Sequence, residues 1–307
     1  MLTRLIRAVL PAAALAVASG SMAAPVLADA GQATPWQIGM QDAVTPVAQG
    51  IQWMHDFVNW IIIAITVFVM LLMLVVVLRF NERANSQPSR ITHNTLLEVA
   101  WTVVPVLILI LIAIPSFKQL YFQYSFPKPE LTIKATGNQW YWTHEYPDQG
   151  VRFDSTILQD NERQQRIQAG IPADQVPRLL AVDNDVVVPV NKVVHVLVTS
   201  NDVIHNWFVP SFGSKIDTVP GRVSATWFKA DRLGIYFGQC SELCGRDHAF
   251  MPFAVRVVPE DTYNQWLEAM KAKDRTRAFD IIKKAALELE GHKRVAAAAA
   301  PAPSRSR

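Results

Sequence analysis

The sequence predicts a membrane-anchored all-β protein, in which a two-helix transmembrane hairpin precedes an exported Greek-key β-domain. Two long uncharged runs lie before residue 120 of the 307-residue chain, and short β-rich pieces separated by turn residues follow from residue 131. An export signal precedes both. With 50% hydrophobic residues and a net charge of +3, the composition excludes a disordered chain and a nucleic-acid binder.

The first 30 residues have the pattern of a cleaved signal peptide. Arg4 and Arg7 precede an apolar stretch over residues 8–18, and residues 26–30 offer two small-x-small cleavage patterns. Pro11 and the short apolar core argue against the alternative, a third membrane helix. The mature chain is therefore expected to begin outside the cytoplasm.

Two membrane spans are predicted within an N-terminal unit over residues 31–118. Phe57–Leu78 and Val99–Phe117 are free of charged residues, and as helices they reach about 33 Å and about 28 Å, close to the ~30 Å hydrocarbon core. Pro105 inside the second span is tolerated in a membrane, where neighbouring helices can satisfy the freed carbonyl. Two such runs so close together make a pair of buried soluble helices a poor alternative.

The flanking cations predict the orientation of this hairpin. The connecting segment carries Arg79, Arg83 and Arg90, whereas residues 29–56 contain no Lys or Arg. The positive-inside rule then places the connection in the cytoplasm and both mature termini outside. The expected location is a bacterial inner membrane, with the C-terminal domain in the periplasm.

Residues 119–260 are predicted to form the β-domain, a Greek-key sandwich or barrel. The candidate strands are Leu131–Thr136, Gln139–Tyr146, Asp185–Val190, Lys192–Thr199, Ala225–Ala230, Gly234–Gly238 and Phe253–Val258. Residues 159–179 are polar enough to be a solvated insertion. A helical segment is expected over residues 261–290, and a disordered tail over residues 291–307.

The residues that carry chemistry surround the chain's two cysteines. Cys240 is followed by Cys244, His248 and Met251, and His205 lies upstream in Val-Ile-His-Asn-Trp. A structural disulfide is the simplest interpretation of two cysteines in an exported protein. The histidine and methionine at fixed offsets favour a metal site instead.

Soft sulfur with imidazole indicates copper, zinc or iron. A thioether contributes little to zinc, and a mononuclear blue-copper site needs only one cysteine. Two coppers fit the donor count: if both sulfurs bridge, one histidine each gives three ligands per metal. Met251 and the backbone carbonyl of Glu242 then complete the two sites. With no open position, the site suits a one-electron carrier rather than a reaction centre.

These motifs resemble subunit II of cytochrome c oxidase. The resemblance rests on Cys-Ser-Glu-Leu-Cys-Gly with His248 and Met251, on Val-Ile-His-Asn-Trp, and on Gly-Asn-Gln-Trp-Tyr-Trp over residues 137–142. It runs from about residue 45 to 270. It implies a cupredoxin-like Greek-key β-barrel that holds the binuclear CuA centre. The ligands carried over are His205, Cys240, Glu242 through its carbonyl, Cys244, His248 and Met251.

The resemblance also implies roles for other residues and partners. Trp140, with Tyr141 beside it, is where electrons arrive from cytochrome c. The Glu242 side chain contributes to a magnesium site shared with subunit I, which suits a carboxylate oxygen. Glu98 matches the proton-uptake carboxylate, although a plain helix-end charge explains it equally well. Subunits I and III and the lipid bilayer are the expected neighbours, with oxygen reduction and proton pumping in haem-bearing subunit I.

The middle of the chain is mildly acidic, with thirteen Lys and Arg against fifteen Asp and Glu over residues 119–260. This balance suits docking of a basic cytochrome c. The candidate docking residues are Glu145, Asp148, Asp154, Asp183, Asp185, Asp202 and Asp217. The histidines without companion ligands are His55, His93, His144, His195 and His292.

Three other functions are weaker. A quinol oxidase subunit would have the same fold without copper, and the intact ligand set argues against it. A copper chaperone or an exported disulfide protein does not explain the fixed ligand offsets. Nitrous-oxide reductase shares the copper loop but leaves the hairpin unexplained.

Overall fold

The computed structural model describes residues 31–87 and 89–299, with the backbone alone for residues 292–299. The predicted signal peptide over residues 1–30 and the end of the predicted tail lie outside the described residues. The described chain forms a helical hairpin, a ten-strand β-domain and shorter helices.

The hairpin consists of α1 (Pro46–Arg79) and α2 (Thr95–Gln123). The Thr45 side chain caps α1 by accepting from the amide of Ala48, and Asn94 caps α2. Because polar end turns are included, both helices extend beyond the predicted spans. Both are long and apolar enough to cross a membrane, and their most apolar stretches are not buried against the rest of the chain.

The β-domain is built from two five-stranded sheets. The first has the strand order β3-β2-β1-β5-β8, with β1 (Leu131–Asn138), β2 (Tyr141–Tyr146), β3 (Val151–Ser155), β5 (Val194–Ser200) and β8 (Ser224–Phe228). The second has the order β4-β10-β9-β6-β7, with β4 (Val186–Pro189), β6 (His205–Val209), β7 (Ser214–Thr218), β9 (Gly234–Cys240) and β10 (Pro252–Val258). The parallel pairs are β1 with β5 and β4 with β10.

Three strands, β3, β6 and β7, were not predicted from the sequence. β6 is buried at four of its five positions, so it lacks the alternation that marks a half-exposed strand. Strand β2 begins at Tyr141 rather than Gln139, because Gln139 and Trp140 form the turn from β1.

The predicted insertion and tail also contain helices. α3 (Asp160–Gln168) begins with a capping box between Gln159 and Glu162. α4 (Glu260–Lys271) and α5 (Arg275–Ala299) follow the last strand. Helix α5 continues past residue 291, where the sequence predicted disorder, through a run of alanines that favours helix.

Aromatic rings fill the space between the two sheets. Trp207 stacks on Phe253 with ring centroids 4.9 Å apart, and Trp142 meets Phe253 edge to face at 5.4 Å. All three are at most 2% exposed. This packing fixes the strand ends that carry the predicted ligands.

The open end of the hairpin, where α1 begins and α2 ends, is joined directly to the β-domain. The Thr45 hydroxyl donates to the carbonyl of Phe212 at 2.7 Å, and the Trp227 indole donates to the carbonyl of Gln123 at 3.0 Å. A Cβ on Gly213 would lie 2.9 Å from the Cα of Ala48, so only glycine allows this approach. Both helices of the hairpin therefore contact the β-domain directly.

A second contact region joins the insertion to the C-terminal helices. Arg256 on β10 is ion-paired to Asp185 at 2.8 Å, with side chains 5% and 9% exposed. Arg256 also donates to Gln175 at 2.7 Å, and the Gln175 amide donates to the carbonyl of Ala286 in α5 at 2.9 Å. We call Arg256, Asp185 and Gln175 the Arg256 cluster.

Candidate metal centre

The predicted ligands converge at one end of the second sheet. His205 is the first residue of β6, Cys240 is the last residue of β9, and Met251 directly precedes β10. Because β6 and β9 are paired, with Trp207 opposite Cys240, His205 and Cys240 lie side by side. Cys244 and His248 lie in the connection from β9 to β10.

The donor atoms form a continuous cluster. Cys240 Sγ lies 3.8 Å from Cys244 Sγ and 3.8 Å from His205 Nδ1. Cys244 Sγ lies 3.5 Å from both His248 Nδ1 and Met251 Sδ. The Glu242 carbonyl oxygen lies 3.2 Å from Cys240 Sγ. All six predicted donors therefore lie within one small volume.

The residues fit a soft metal pair. Both cysteines are free and buried, and their sulfur separation of 3.8 Å is far from the ~2.05 Å of a disulfide. His205, Cys240 and Cys244 alone can each offer one donor atom, all within 4.8 Å of one another. Two thiols, two imidazoles and a thioether are the donors that copper prefers. Each histidine has a different sulfur near its Nδ1, as two adjacent metal positions require.

The pKa values of the two thiols also favour a metal site. Burial alone would raise the pKa of Cys240, but hydrogen bonds from His205 and from the backbone at Asn206 and Glu242 outweigh it and lower the pKa to about 7. Burial and the neighbouring charge on Cys240 raise the pKa of Cys244. Two thiolates this close need a cation to be ionised together.

Side chains from the first sheet and its β1–β2 turn hold the ligand loop by hydrogen bonds to the backbone of the loop. Trp142 donates from its indole to the Met251 carbonyl at 3.0 Å, and Gln139 donates from its amide to the Cys244 carbonyl at 2.8 Å. On the opposite side, a Cβ on Gly137 would lie 2.7 Å from the His205 ring. The absence of a side chain at Gly137 is what admits the imidazole.

Trp140 lies directly on this loop. Its indole nitrogen is 3.3 Å from the Cys244 carbonyl, and Arg246 lies over its ring with the guanidinium carbon 5.3 Å from the centroid. Trp140 also lines an open groove of about 480 Å³ together with Leu179 and Phe250. Tyr141, the next residue, begins β2 and is half-buried.

The seven predicted docking acids have different environments. Asp185 is wrong as a docking residue, because its carboxylate is buried against Arg256. Glu145 is ion-paired to Lys134 at 3.4 Å. Asp202 bonds inward to His205 at 2.8 Å.

The side chains of the remaining four acids form no hydrogen bond to a predicted ligand among the described residues. Asp148 is exposed on the turn between β2 and β3. Asp154 accepts from Thr143, and Asp217 accepts from Asn206, both at 2.7 Å. Asp183 accepts from the amide of Thr156 at 2.7 Å.

Glu242 and Glu98 lie on the surface. The Glu242 residue is exposed while its carbonyl faces Cys240. Glu98 lies in the first turn of α2, where its carboxylate accepts from the amide of Asn94 at 3.3 Å. That contact is the helix-end role that the sequence could not separate from proton uptake.

The five unassigned histidines are not part of the ligand cluster as far as the structure describes them. His144 is buried in the sheet and bonds Ser155 at 3.0 Å, and His195 bonds the Pro127 carbonyl at 2.7 Å. His55 bonds Asn59 in α1 at 2.7 Å. His93 is exposed before α2, and the side chain of His292 lies outside the described residues.

Gln139, Gly137 and the inward role of Asp202 were missed by the sequence reasoning. Gly137 and Gln139 stand within the Gly-Asn-Gln-Trp-Tyr-Trp motif, which was the available signal. Nothing in the sequence marks Asp202 as different from the other acids.

Comparison with known proteins covers both parts of the chain. Residues 131–258 match the family described as cytochrome c oxidase subunit II, periplasmic domain, and residues 33–119 match its transmembrane domain. Cytochrome c oxidase subunit 2 of Cereibacter sphaeroides is 49% identical over 249 residues, covering 78% of this chain and 82% of that protein. The protein of the same name from Zea mays is 45% identical over 242 residues, covering 76% and 90%.

One solved structure matches about half of the chain. It is the crystal structure of the periplasmic domain of subunit II of cytochrome oxidase from Bradyrhizobium japonicum. The sequence identity is 53%, the match covers 48% of this chain and 98% of that chain, and the TM-score is 0.43.

Proposed function

The chain belongs to the family of cytochrome c oxidase subunit II, the electron-transfer part of that oxidoreductase complex, and on this premise we propose its path of electrons. Trp140 and Tyr141 would receive electrons from cytochrome c, and the predicted ligands would hold a binuclear copper centre that would relay those electrons to haem in subunit I. Oxygen reduction to water and the coupled proton pumping take place in subunit I. The observation that carries this proposal is the cluster of two free thiols, two imidazoles and a thioether.

The residues that would hold the two coppers are His205, Cys240, Glu242 through its carbonyl, Cys244, His248 and Met251. When bound, the copper pair supplies a one-electron relay whose charge is shared over both metals. The protein contributes burial and rigidity: Cys240 is 7% exposed, Cys244 4% and Met251 1%. Hydrogen bonds from the Trp142 and Gln139 side chains to backbone carbonyls of the loop hold it in place. The ligands therefore need little rearrangement between oxidation states.

Trp140 is suited to electron uptake by its position. It is half-buried, and its indole bonds the backbone of the ligand Cys244. A docked haem protein can therefore reach an aromatic edge that is one hydrogen bond from the centre. The exposed carboxylates Asp148, Asp154 and Asp217, the half-buried Asp183 and the ion-paired Glu145 are proposed to attract a basic cytochrome c.

The remaining assignments concern the complex and its membrane. Glu242 is proposed to hold magnesium with subunit I through its carboxylate, and Glu98 to take up protons at the cytoplasmic end of α2. Subunit III is proposed as a further neighbour. With the hairpin connection inside, the β-domain lies in the periplasm of a bacterium after removal of residues 1–30.

The decisive experiment replaces the bridging sulfurs in the purified oxidase. Cys240→Ser and Cys244→Ser should each abolish the binuclear centre, because a serine oxygen is a poor ligand for copper. Copper content and electron paramagnetic resonance measure the result, and Ser241→Ala in the same loop is the matched control. Full copper loading with an unchanged spectrum in either cysteine variant would refute the assignment.

The path into the centre has its own test. Trp140→Phe should slow electron uptake from cytochrome c while copper content stays the same, since the ring remains but its hydrogen bond to Cys244 is lost. Stopped-flow reduction of the oxidase measures the rate. Trp36→Phe, which changes an exposed tryptophan before α1, is the control, and unaltered uptake by the Trp140 variant would place the electron port elsewhere.

A further inference from the structure

Asp202 differs from the other candidate docking acids in where its oxygens point. One carboxylate oxygen, Oδ1, lies 2.8 Å from Nε2 of His205 and accepts from the amide of Val203 at 2.6 Å. The other oxygen, Oδ2, accepts from the backbone N–H of Gln139 at 2.7 Å. The side chain is only 30% exposed. Most of the capacity of this carboxylate to accept hydrogen bonds is therefore used inside the protein.

His205 depends on this contact. Its side chain is fully buried, and its two ring nitrogens face different groups: Nδ1 faces Cys240 Sγ, and Nε2 faces Asp202. A carboxylate only accepts, so a ring proton resides on Nε2, and Nδ1 is the nitrogen that can bind a metal once it carries no proton. The nitrogen that carries the proton decides which nitrogen can bind a metal.

Asp202 also reaches the turn that carries Trp140. The backbone N–H of Gln139 donates to Asp202, and the side-chain amide of Gln139 donates to the Cys244 carbonyl. The indole of Trp140 meets the same carbonyl. One carboxylate thus joins the His205 ring, the β1–β2 turn and, through Gln139, the ligand loop.

We propose that Asp202 is a positioning residue of the metal centre. It fixes the tautomer and ring orientation of His205, and it holds the β1–β2 turn against the ligand loop. This inference rests on the proposed function, because it assigns Nδ1 of His205 to the metal.

The test compares three variants of the intact oxidase. Asp202→Ala removes both acceptor oxygens. Asp202→Asn retains one oxygen for His205 but presents an amide group to the Gln139 N–H, so that it loses the second contact. Asp148→Asn is the matched control, since it removes one carboxylate from an exposed turn.

The readouts are the reduction potential and paramagnetic spectrum of the copper centre, copper loss to a Cu(I) chelator, and the salt dependence of cytochrome c association. Loss of such a supporting contact typically weakens metal binding about 10–100-fold. Asp202→Ala should therefore lose copper faster by a factor in that range, with a shifted potential and spectrum. Asp202→Asn should shift both less. Asp148→Asn should change only the salt dependence.

The outcomes separate the two proposals. A wild-type potential, spectrum and rate of copper loss in both Asp202 variants would overturn the positioning role, and an altered salt dependence beside them would assign Asp202 to docking alone. If Asp202→Ala does not fold, Asp202→Asn decides alone, because it is isosteric. Failure of the unmodified oxidase to hold two coppers would refute the proposed function itself, whatever the variants do.

Discussion

Two buried polar clusters of the β-domain differ both in composition and in what they do. The ligand cluster, formed by the six proposed donors, brings soft atoms together with no oppositely charged partner for the two thiols. The Arg256 cluster pairs its guanidinium with a carboxylate and an amide at 2.7–2.8 Å. In the Arg256 cluster the positive charge is balanced by the carboxylate, and the cluster stabilises the fold. In the ligand cluster the charge of the two thiolates is balanced only when a cation binds.

The largest effect on stability is expected in the Arg256 cluster. Asp185→Ala should lower the free energy of unfolding by about 3–5 kcal/mol, because it leaves the buried Arg256 charge unpaired. Denaturant unfolding of the detergent-solubilised chain, followed by tryptophan fluorescence, measures the loss. The copper spectrum of the folded fraction should stay unchanged. A shifted spectrum would show that the two clusters are coupled.

A smaller loss of stability with a larger effect on the metal is expected at Gly137. Gly137→Ala places a Cβ where the buried His205 ring lies, and such overpacking costs about 1–3 kcal/mol. The imidazole must move away from the centre, so the spectrum and copper retention should change. Gly150→Ala is a control in open space, although its positive φ of 69° adds some backbone strain. Retained copper with a wild-type spectrum would mean that the ring has room to shift.

The third expected effect is an acid sensitivity that belongs to neither cluster. Burial lowers the pKa of His144 to about 3, and its Nε2 has no hydrogen-bond partner among the described residues. Between pH 6.5 and pH 3 the unfolded chain binds a proton at this residue that the folded chain does not bind. Stability therefore falls as the pH falls, by about 1.4 kcal/mol per pH unit below 6.5.

Unfolding curves at pH 7.5, 6.5 and 5.5 measure this slope. His144→Phe should remove the part of the slope that this residue causes, while His93→Gln, at an exposed position, should keep it. An identical slope in the His144 variant would assign the acid sensitivity to other groups.

The contrast between the clusters also explains what could be predicted from the sequence. The hairpin was predictable because membrane spans need long uncharged runs, and the ligands because Cys240, Cys244, His248 and Met251 stand close together in the chain. Asp185, Asp202 and Asp148 could not be distinguished, since each is an aspartate among polar and β-forming residues. The role of Asp185 depends on Arg256, which lies 71 residues away in the chain, and the role of Asp202 depends on the direction in which its carboxylate points toward His205.

The strands show the same limit. β6 was missed because burial on both faces removes the alternation that predicts a strand. Gly137 could be seen only as part of a motif, because the ring that needs its space comes from residue 205. Local patterns predicted the elements and the ligand types, while contacts across the sheets determine which polar groups serve the metal.

The joint between the hairpin and the β-domain has a mechanical consequence. Thr45, Gly213 and Trp227 fasten the domain to the ends of both helices, so the two parts are joined by direct side-chain and backbone contacts as well as by the chain itself. A protein that binds at Trp140 therefore meets a domain whose orientation is coupled to that of the two helices. The position of the ligand cluster relative to the two helices is therefore a property of the anchor as much as of the β-domain.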